Sequence, residues 1–460
     1  MGIPHFLVIP FPAQGHLNPS IQFSHALAKN GCHVTFLSTE FNHNKALMLK
    51  AAAASSDHHQ DNLLGSKIKL VSFPDGLDPE DERRDLQKLL FSIRNTMPSR
   101  LPKLIHEINA LDGNNNNNIT CIVVTINMGW ALEVGSTLGI KGALLWPASA
   151  TSLTLSDSIH SFIDDGVVDS EYGLPMKAQK IQLSPDMPLM DPKDLPWCSL
   201  GKVYFEHVKR EMQTFKLLAQ WWLCNTIYEL EPAAFSSSPK LLPIGGPMLT
   251  SSDHNPTSFW EEDKTCLHWL DQQPPQSVIY VSFGSWSVLD QNSFTELALG
   301  LQLLNMPFLW VVRPGNDEKI AYPDEFIGSI SNKGKIVGWA PQKMVLKHHA
   351  IACFISHCGW NSTMEGLHGG VPFLCWPFRN DQFVNKFFIC EVWKVGLGLH
   401  KHENGVISRD EIKKKVEQVL GCEDIKARCL KWKEIVMENM EKEGSQSIRN
   451  FQNFIKWTKE

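Results

Sequence analysis

Short apolar runs alternate with longer stretches of helical period along the whole 460-residue chain. "FLVIPF" at 6–11 has the continuous hydrophobicity of a strand buried on both faces, and it ends in a loop with Pro and Gly. In "NPSIQFSHALAKNG", Asn18 can cap a helix, Pro19 suits its first turn and Gly31 can close it. "HVTFLST" at 33–39 follows as a second strand and completes a β-α-β unit. A strand at "TCIVV" (120–124), a helix in "MGWALEVGSTLG", a strand in "GALLWPAS" and another in "WWLCNTIYELE" continue the pattern. The poly-Asn run at 114–118 and the Ala-, Ser-, Asp- and His-rich stretch 51–66 read as solvated loops.

"LLPIGGPMLTSSDHNP" at 241–256 is rich in Pro, Gly and Ser and reads as a linker. The alternation then restarts with "SVIYVSF" (277–283), the helical "NSFTELALGLQLLN" and "PFLWVV" (307–312). "KIVGW", "IACFIS" and "VPFLCWP" supply three more strands. Ser408 and Glu411 form a capping-box pattern before a tail of amphipathic helices. Two successive β-α-β halves predict an α/β fold of two doubly wound, Rossmann-like domains facing each other across a cleft. The length agrees, because 460 residues exceed what one core accommodates.

Composition narrows the function classes. A net charge of −6, with no basic block interleaved with aromatics, argues against nucleic acid as a partner. No run of about 18 apolar residues is present, so no membrane span is expected. "MGIPHFLVIPFPAQGH" lacks a basic n-region and a small-residue cleavage site, and Phe6 stands where myristoylation wants Ser or Thr. Eleven scattered cysteines without zinc spacing read as reduced thiols of a cytoplasmic protein.

In open parallel sheets, ligands lie beyond the carboxyl ends of the strands. His16, Ser285, Trp339, His357, Asp381 and Gln382 all follow expected strands, so they are candidates for one site. A nicotinamide or flavin enzyme is disfavoured, because "PAQGH" has one glycine where G-x-G-x-x-G would stand. In "SHCGWNSTMEGLHGG" (356–370), Asn361, Ser362 and Thr363 would open a helix whose free N–H groups suit a phosphate. Glu365 lies one turn deeper on the face of Asn361, where a carboxylate could accept two hydrogen bonds from a ribose diol. Those groups together describe a nucleotide site. A capped helix with a solvent-exposed Glu fits this stretch equally well.

The wider chain separates the two. The span from "WAPQ" (339–342) through "HCGWNS" and Glu365 to Asp381-Gln382 resembles the signature of plant family-1 UDP-dependent glycosyltransferases, and "FPAQGHLNP" is similar to the start of such chains. The resemblance implies the GT-B fold: an N-terminal acceptor-binding domain (1–240), a linker (241–256), a C-terminal UDP-sugar-binding domain (257–435) and a last helix (436–460) packing back on the N-terminal domain. By the same resemblance, Trp339 stacks on uracil, the Ala340 backbone bonds the base, and Gln342 and Glu365 hold the ribose. Ser285, His357, Asn361 and Ser362 hold the diphosphate, and Trp360, Asp381 and Gln382 contact sugar hydroxyls. Gln382 is associated with glucose, so UDP-glucose is the expected co-substrate, with no cofactor. Lacking any Asp-x-Asp, the chain is expected to need no metal. A monomer acting on a hydrophobic flavonoid, phenol or terpenoid, at a hydroxyl or an aromatic carbon, completes the expectation.

His16 is the expected base, kept neutral by a helix start and able to take a hydroxyl proton while the oxygen displaces UDP and inverts the sugar centre. The chain departs from its family at Thr125, where relatives usually carry the Asp that orients this histidine. A hydroxyl can fix a tautomer but cannot neutralise an imidazolium. Three readings follow: acidic acceptors such as phenols that need less help, a substitute acid from "DPEDERRD" (78–85), or an impaired enzyme that binds UDP-sugar with little turnover. Arg379 and Asn380 also depart from the usual residues and leave pentoses or an acidic sugar open as donors.

Overall fold

The computed structural model describes residues 2–53, 64, 68–111, 118–182, 185, 187, 189–249, 262–313, 320–330, 333–403, 405–442 and 444–460. Asn114–Asn117, most of 51–66 and residues 250–256 of the expected linker lie outside the described residues. The chain divides into two units, Met1–Trp260 with Asn439–Glu460, and Glu261–Glu438. The expected fold class is what it has: α/β, with a Rossmann-like parallel sheet in each unit.

Among the described residues, the first unit holds seven parallel strands: β1 His5–Ile9, β2 His33–Thr39, β3 Ile68–Phe73, β4 Cys121–Val124, β5 Lys141–Trp146, β6 Trp221–Cys224 and β7 Leu241–Pro243. Their order is β3-β2-β1-β4-β5-β6-β7. Chain direction across the sheet reverses between β1 and β4, the point where doubly wound sheets open a crevice for ligands. The second unit repeats this with β8 Val278–Ser282, β9 Phe308–Val311, β10 Gly334–Val337, β11 Ile351–Ser356, β12 Phe373–Cys375 and β13 Gly396–Gly398, ordered β10-β9-β8-β11-β12-β13. Its reversal lies between β8 and β11. The central strands β1, β4, β8 and β11 are buried along their whole length, as strands covered on both faces must be.

Two boundaries differ from the sequence reading. The helix after β1 begins at Gln14, not at Pro19, so His16 sits inside its first turn. Pro19 stands inside that helix, beyond its first turn, where the missing N–H removes the bond that would reach the Gly15 carbonyl. The linker is also shorter than expected. Leu241–Pro243 pairs with β6 as the edge strand and Gly245–Leu249 is helical, because Leu241, Ile244 and Met248 are buried in the first unit's core. Composition misled here: a proline that breaks a central strand is accepted at an edge.

The terminal helix Gln446–Lys459 belongs to the first unit. Its Phe451, Phe454 and Ile455 are buried in the same core as Phe6, Phe23 and Leu223. The Phe454 ring lies 5.5 Å from Phe6 and 5.6 Å from Trp221, and Lys141 Nζ sits 4.8 Å over Trp457. Phe454→Ala removes a fully buried ring from this cluster and is expected to cost about 3–5 kcal/mol. Thermal unfolding followed by circular dichroism should show the midpoint falling by several degrees; an unchanged midpoint would mean the helix adds nothing to that core.

Candidate functional site

In the first unit, the candidate groups leave the two strands that flank the reversal. β1 and β4 pair with Ile9 opposite Val124, so the segments after them stay adjacent. Phe11 N–H donates to Thr125 Oγ1 at 2.9 Å, and His16 Nδ1 lies 3.1 Å from that oxygen. The imidazole is partly buried, with its edge against Phe11, and burial lowers its pKa to about 4. It is therefore a neutral ring at pH 7, and burial is the cause, in place of the helix start invoked from sequence.

The threonine proton has two acceptors within reach, His16 Nδ1 and the Ile126 carbonyl at 3.4 Å. When it points to Ile126, the oxygen accepts from Nδ1–H and Nε2 is free to take a proton. When it points to Nδ1, Nε2 carries the ring proton and cannot act as a base. An aspartate would permit the first arrangement alone, because a carboxylate accepts and does not donate.

The acidic run at 78–85 is occupied by its own loop. Arg83 bonds Asp75 and the carbonyls of Leu77, Asp78, Pro79 and Asp81, Lys88 pairs with Asp81, and Asp85 caps the helix Leu86–Thr96.

In the second unit, the candidates gather at the carboxyl ends of β8, β10, β11 and β12. β8 and β11 run in register to Ser282 and Ser356, which sets Gly284 beside His357. A Cβ on Gly284 would stand 2.5 Å from His357 Nε2, and one on Gly359 would stand 2.3 Å away, so the ring requires glycine at both places. His357 Nδ1 is buried, and no group among the described residues hydrogen-bonds it. Burial, then the Arg313 charge, lowers the His357 pKa to about 4. Arg313 itself donates to the carbonyls of Ser285 and Ser287 and so holds the loop that carries Ser285.

Between His357 and Gly359, Cys358 takes a left-handed φ of 63°. That strained residue is held from both sides, by Ser356 Oγ accepting its N–H at 3.0 Å and by Asn385 Nδ2 donating to its carbonyl at 2.9 Å. The helix Trp360–Gly369 starts immediately afterwards, capped by Gly359, with Asn361 and Ser362 in its first turn. Gln342 opens another helix, Gln342–Lys347, and its amide donates to Ser362 Oγ and to Glu365 Oε2, both at 2.8 Å. Burial raises the Glu365 pKa to about 6 against the pull of Gln342. Trp339 is half-buried, its carbonyl accepting from Asp263 N–H at 2.8 Å, and Ala340 beside it is buried.

Asp381 accepts from Asn385 Nδ2 at 2.9 Å, and burial raises its pKa to about 6. Gln382 Oε1 accepts from the N–H groups of Phe378 and Arg379, which turns its amide nitrogen outward from that turn. Asn380 has φ 57°, a conformation asparagine tolerates better than most residues, and this accounts for its place beside Asp381. The indole of Trp360 is 3% exposed against Trp393, so the expected contact to a sugar would have to come from its backbone.

Sequence reasoning passed over Arg313, Asn385 and Tyr280, whose hydroxyl donates to Gln342 Oε1 at 3.1 Å. Asn385 stands four residues after Asp381 on one helix face, a signal that was legible. Arg313 and Tyr280 act through strand neighbours distant in sequence and gave none. Among the described residues, no group of three His, Cys, Asp or Glu side chains could hold a metal, and no helix is long and apolar enough to cross a membrane.

A family model described as UDP-glucoronosyl and UDP-glucosyl transferase matches residues 198–437. UDP-glycosyltransferase 83A1 of Arabidopsis thaliana is 41% identical, over 100% of this chain and 97% of that protein. The (R)-mandelonitrile beta-glucosyltransferase of Prunus dulcis is 31% identical, over 96% and 94% of the two chains. Among solved structures, a Polygonum tinctorium UDP-glucosyltransferase capable of glucosylating indoxyl superimposes with a TM-score of 0.82 at 25% identity, covering both chains completely.

Glu365 and Asp381 both titrate near pH 6. A raised carboxyl pKa means each is ionised above about 6 and neutral below it, so a charged hydrogen-bond acceptor is lost as pH falls. Binding of UDP-glucose, which has no group of its own titrating there, should weaken by about tenfold from pH 7 to 5, the ratio of ionised fractions for one such group. Calorimetry at stepped pH measures this; a level profile would mean that neither carboxylate meets the donor.

Proposed function

The chain belongs to the UDP-glycosyltransferase family, and from that premise we propose that it transfers glucose from UDP-glucose to a hydroxyl of a hydrophobic plant small molecule, inverting the anomeric centre. The observation that carries this reading is the bonded set Gln342–Ser362–Glu365 at the opening of the helix Trp360–Gly369. It combines an acceptor for a diol with a helix start suited to phosphate, which are the two demands of a nucleoside diphosphate. On this reading Trp339 and Ala340 take the uracil, Gln342 and Glu365 the ribose, and Ser285, His357, Asn361 and Ser362 the diphosphate. Asp381, Gln382 and the backbone of Trp360 take the sugar. The second unit is the donor-binding domain and the first the acceptor-binding domain.

His16 Nε2 takes the proton of the acceptor hydroxyl. The oxygen forms its bond to the anomeric carbon as the bond to the β-phosphate oxygen breaks, and the electron pair leaves with UDP. The helix start and the Ser285 loop stabilise that leaving charge. An α-linked donor gives a β-glycoside. No metal is required for these steps. Eleven unpaired thiols fit a monomer working in the reducing cytoplasm.

Thr125 sets the class of acceptor. A hydroxyl that shares its proton between His16 and Ile126 leaves the base nitrogen free for only part of the time and gives no charge to an imidazolium. Acceptors that ionise easily, phenols above all, need least from such a base. The same observation favours a second reading, a protein that binds UDP-sugar and turns it over slowly.

His16→Ala should lower kcat by about 10²–10⁴-fold while UDP affinity stays within a factor of two, measured by UDP release and calorimetry. Thr125→Asp should raise turnover at least about tenfold on weakly acidic alcohols and less on phenols, as a fixed tautomer and a compensating charge predict. Equal turnover in both proteins would show that His16 needs no charged partner. UDP release with UDP-glucose, UDP-xylose and UDP-glucuronate across a phenol and alcohol panel, with products identified by mass spectrometry, tests the whole reading. Release with none of them, despite donor binding, would select the binding protein.

A further inference from the structure

We propose that Tyr280 is a positioning residue for ribose recognition: acting through Gln342, it holds the Glu365 carboxylate where it can meet the 2′- and 3′-hydroxyls, and so sets the preference for a ribonucleotide over its 2′-deoxy counterpart. The inference rests on the reading that Glu365 holds the ribose.

Tyr280 lies in the middle of β8, with 1% of its surface exposed, and its ring stacks on Phe354 of β11 at 5.0 Å and 25°. A phenol buried in such surroundings has to spend its proton on a partner. That partner is Gln342 Oε1, 3.1 Å away. Burial also pushes the phenol far above its usual pKa, so it remains a donor. A chain of donors therefore runs from Tyr280 to Gln342, and from Gln342 to both Ser362 and Glu365.

The amide in the middle is the switchable part. With its oxygen toward Tyr280, its nitrogen faces the carboxylate. Turned by 180°, its oxygen would face the carboxylate and repel it. Tyr280 and Glu365 thus require the same orientation, one by donating and the other by accepting. Without the Tyr280 hydroxyl, the part-buried Gln342 Oε1 has no side-chain donor among the described residues. The amide can then rotate, and Glu365 loses the bond that fixes Oε2. Selectivity suffers more than overall affinity, because the uracil contacts do not pass through this amide and, of the diphosphate set, it reaches Ser362 alone.

The test measures the affinities of UDP and 2′-deoxy-UDP by calorimetry on the full chain. Both ligands are titrated into the same preparation, so their affinity ratio does not depend on the folded fraction. Unaltered protein should prefer UDP by about tenfold or more, as a buried hydrogen bond to a charged group warrants, and Glu365→Ala should bring the ratio near one. Tyr280→Phe should lower the ratio at least about threefold with the 2′-deoxy-UDP affinity little changed. Gln342→Met, which leaves Tyr280 intact and breaks the same link, should lower it as far, and the double substitution no further than Gln342→Met alone. Tyr280→Phe with an unaltered ratio, or with equal losses on both ligands, overturns the positioning role. A ratio near one in unaltered protein, or one that Glu365→Ala does not change, overturns the ribose reading and the inference with it.

Discussion

Each unit depends on the place where its parallel sheet reverses direction. Chains leaving β1 and β4, or β8 and β11, pass to opposite faces of the sheet, so backbone carbonyls and helix starts are left open between them. Elsewhere the central strands are covered on both faces and are mostly apolar, and the polar side chains within them, such as His5 and Tyr280, are hydrogen-bonded. Most of the polar candidates therefore lie at the strand ends, beside the two reversals. His16 and Thr125 flank the first, while Ser285 and His357 flank the second.

Burying polar groups there demands that each be fastened. Glu365 and Asp381 are tied by Gln342 and Asn385, each a neutral amide. An amide compensates less than a cation would, and both carboxyls accordingly titrate near 6. Other buried carboxyls of the first unit use backbone instead. Glu231 accepts from Ala150 and Thr151 N–H groups at 2.9 Å, and Glu211 from Gly129 N–H at 3.0 Å. They hold loops after β5 and β4 in place, and burial pushes Glu211 up to about 7. The contrast separates two uses of a buried acid. One is consumed in fixing the backbone, and the other is tied to a side-chain amide.

Thr125 shows what the absence of such an acid does. Its oxygen already accepts the Phe11 N–H, so it joins backbone and imidazole in one small network. Neutrality of His16 follows from burial alone and needs no carboxylate. Orientation of its proton does need one. A threonine there therefore leaves the imidazole neutral and loosens the choice of nitrogen that bears the proton.

Much of this was legible from residue order. Alternating apolar runs and helical periods revealed both parallel sheets, because a strand buried on both faces is apolar along most of its length. The spacing from Trp339 to Gln382 gathered the candidates of the second unit, because strand ends, a glycine turn and a helix start follow one another in the chain. Local punctuation was less informative. Pro19 and Pro243 marked no boundary, since one lies inside the first helix and the other in an edge strand, where a missing donor is tolerated. Tertiary structure alone decided the partners: Tyr280 with Gln342, Arg313 with the Ser285 loop, Thr125 with both Phe11 and His16. Those bonds join strands and loops far apart in sequence, and strand register, which no short motif encodes, determines which side chains come within hydrogen-bonding distance.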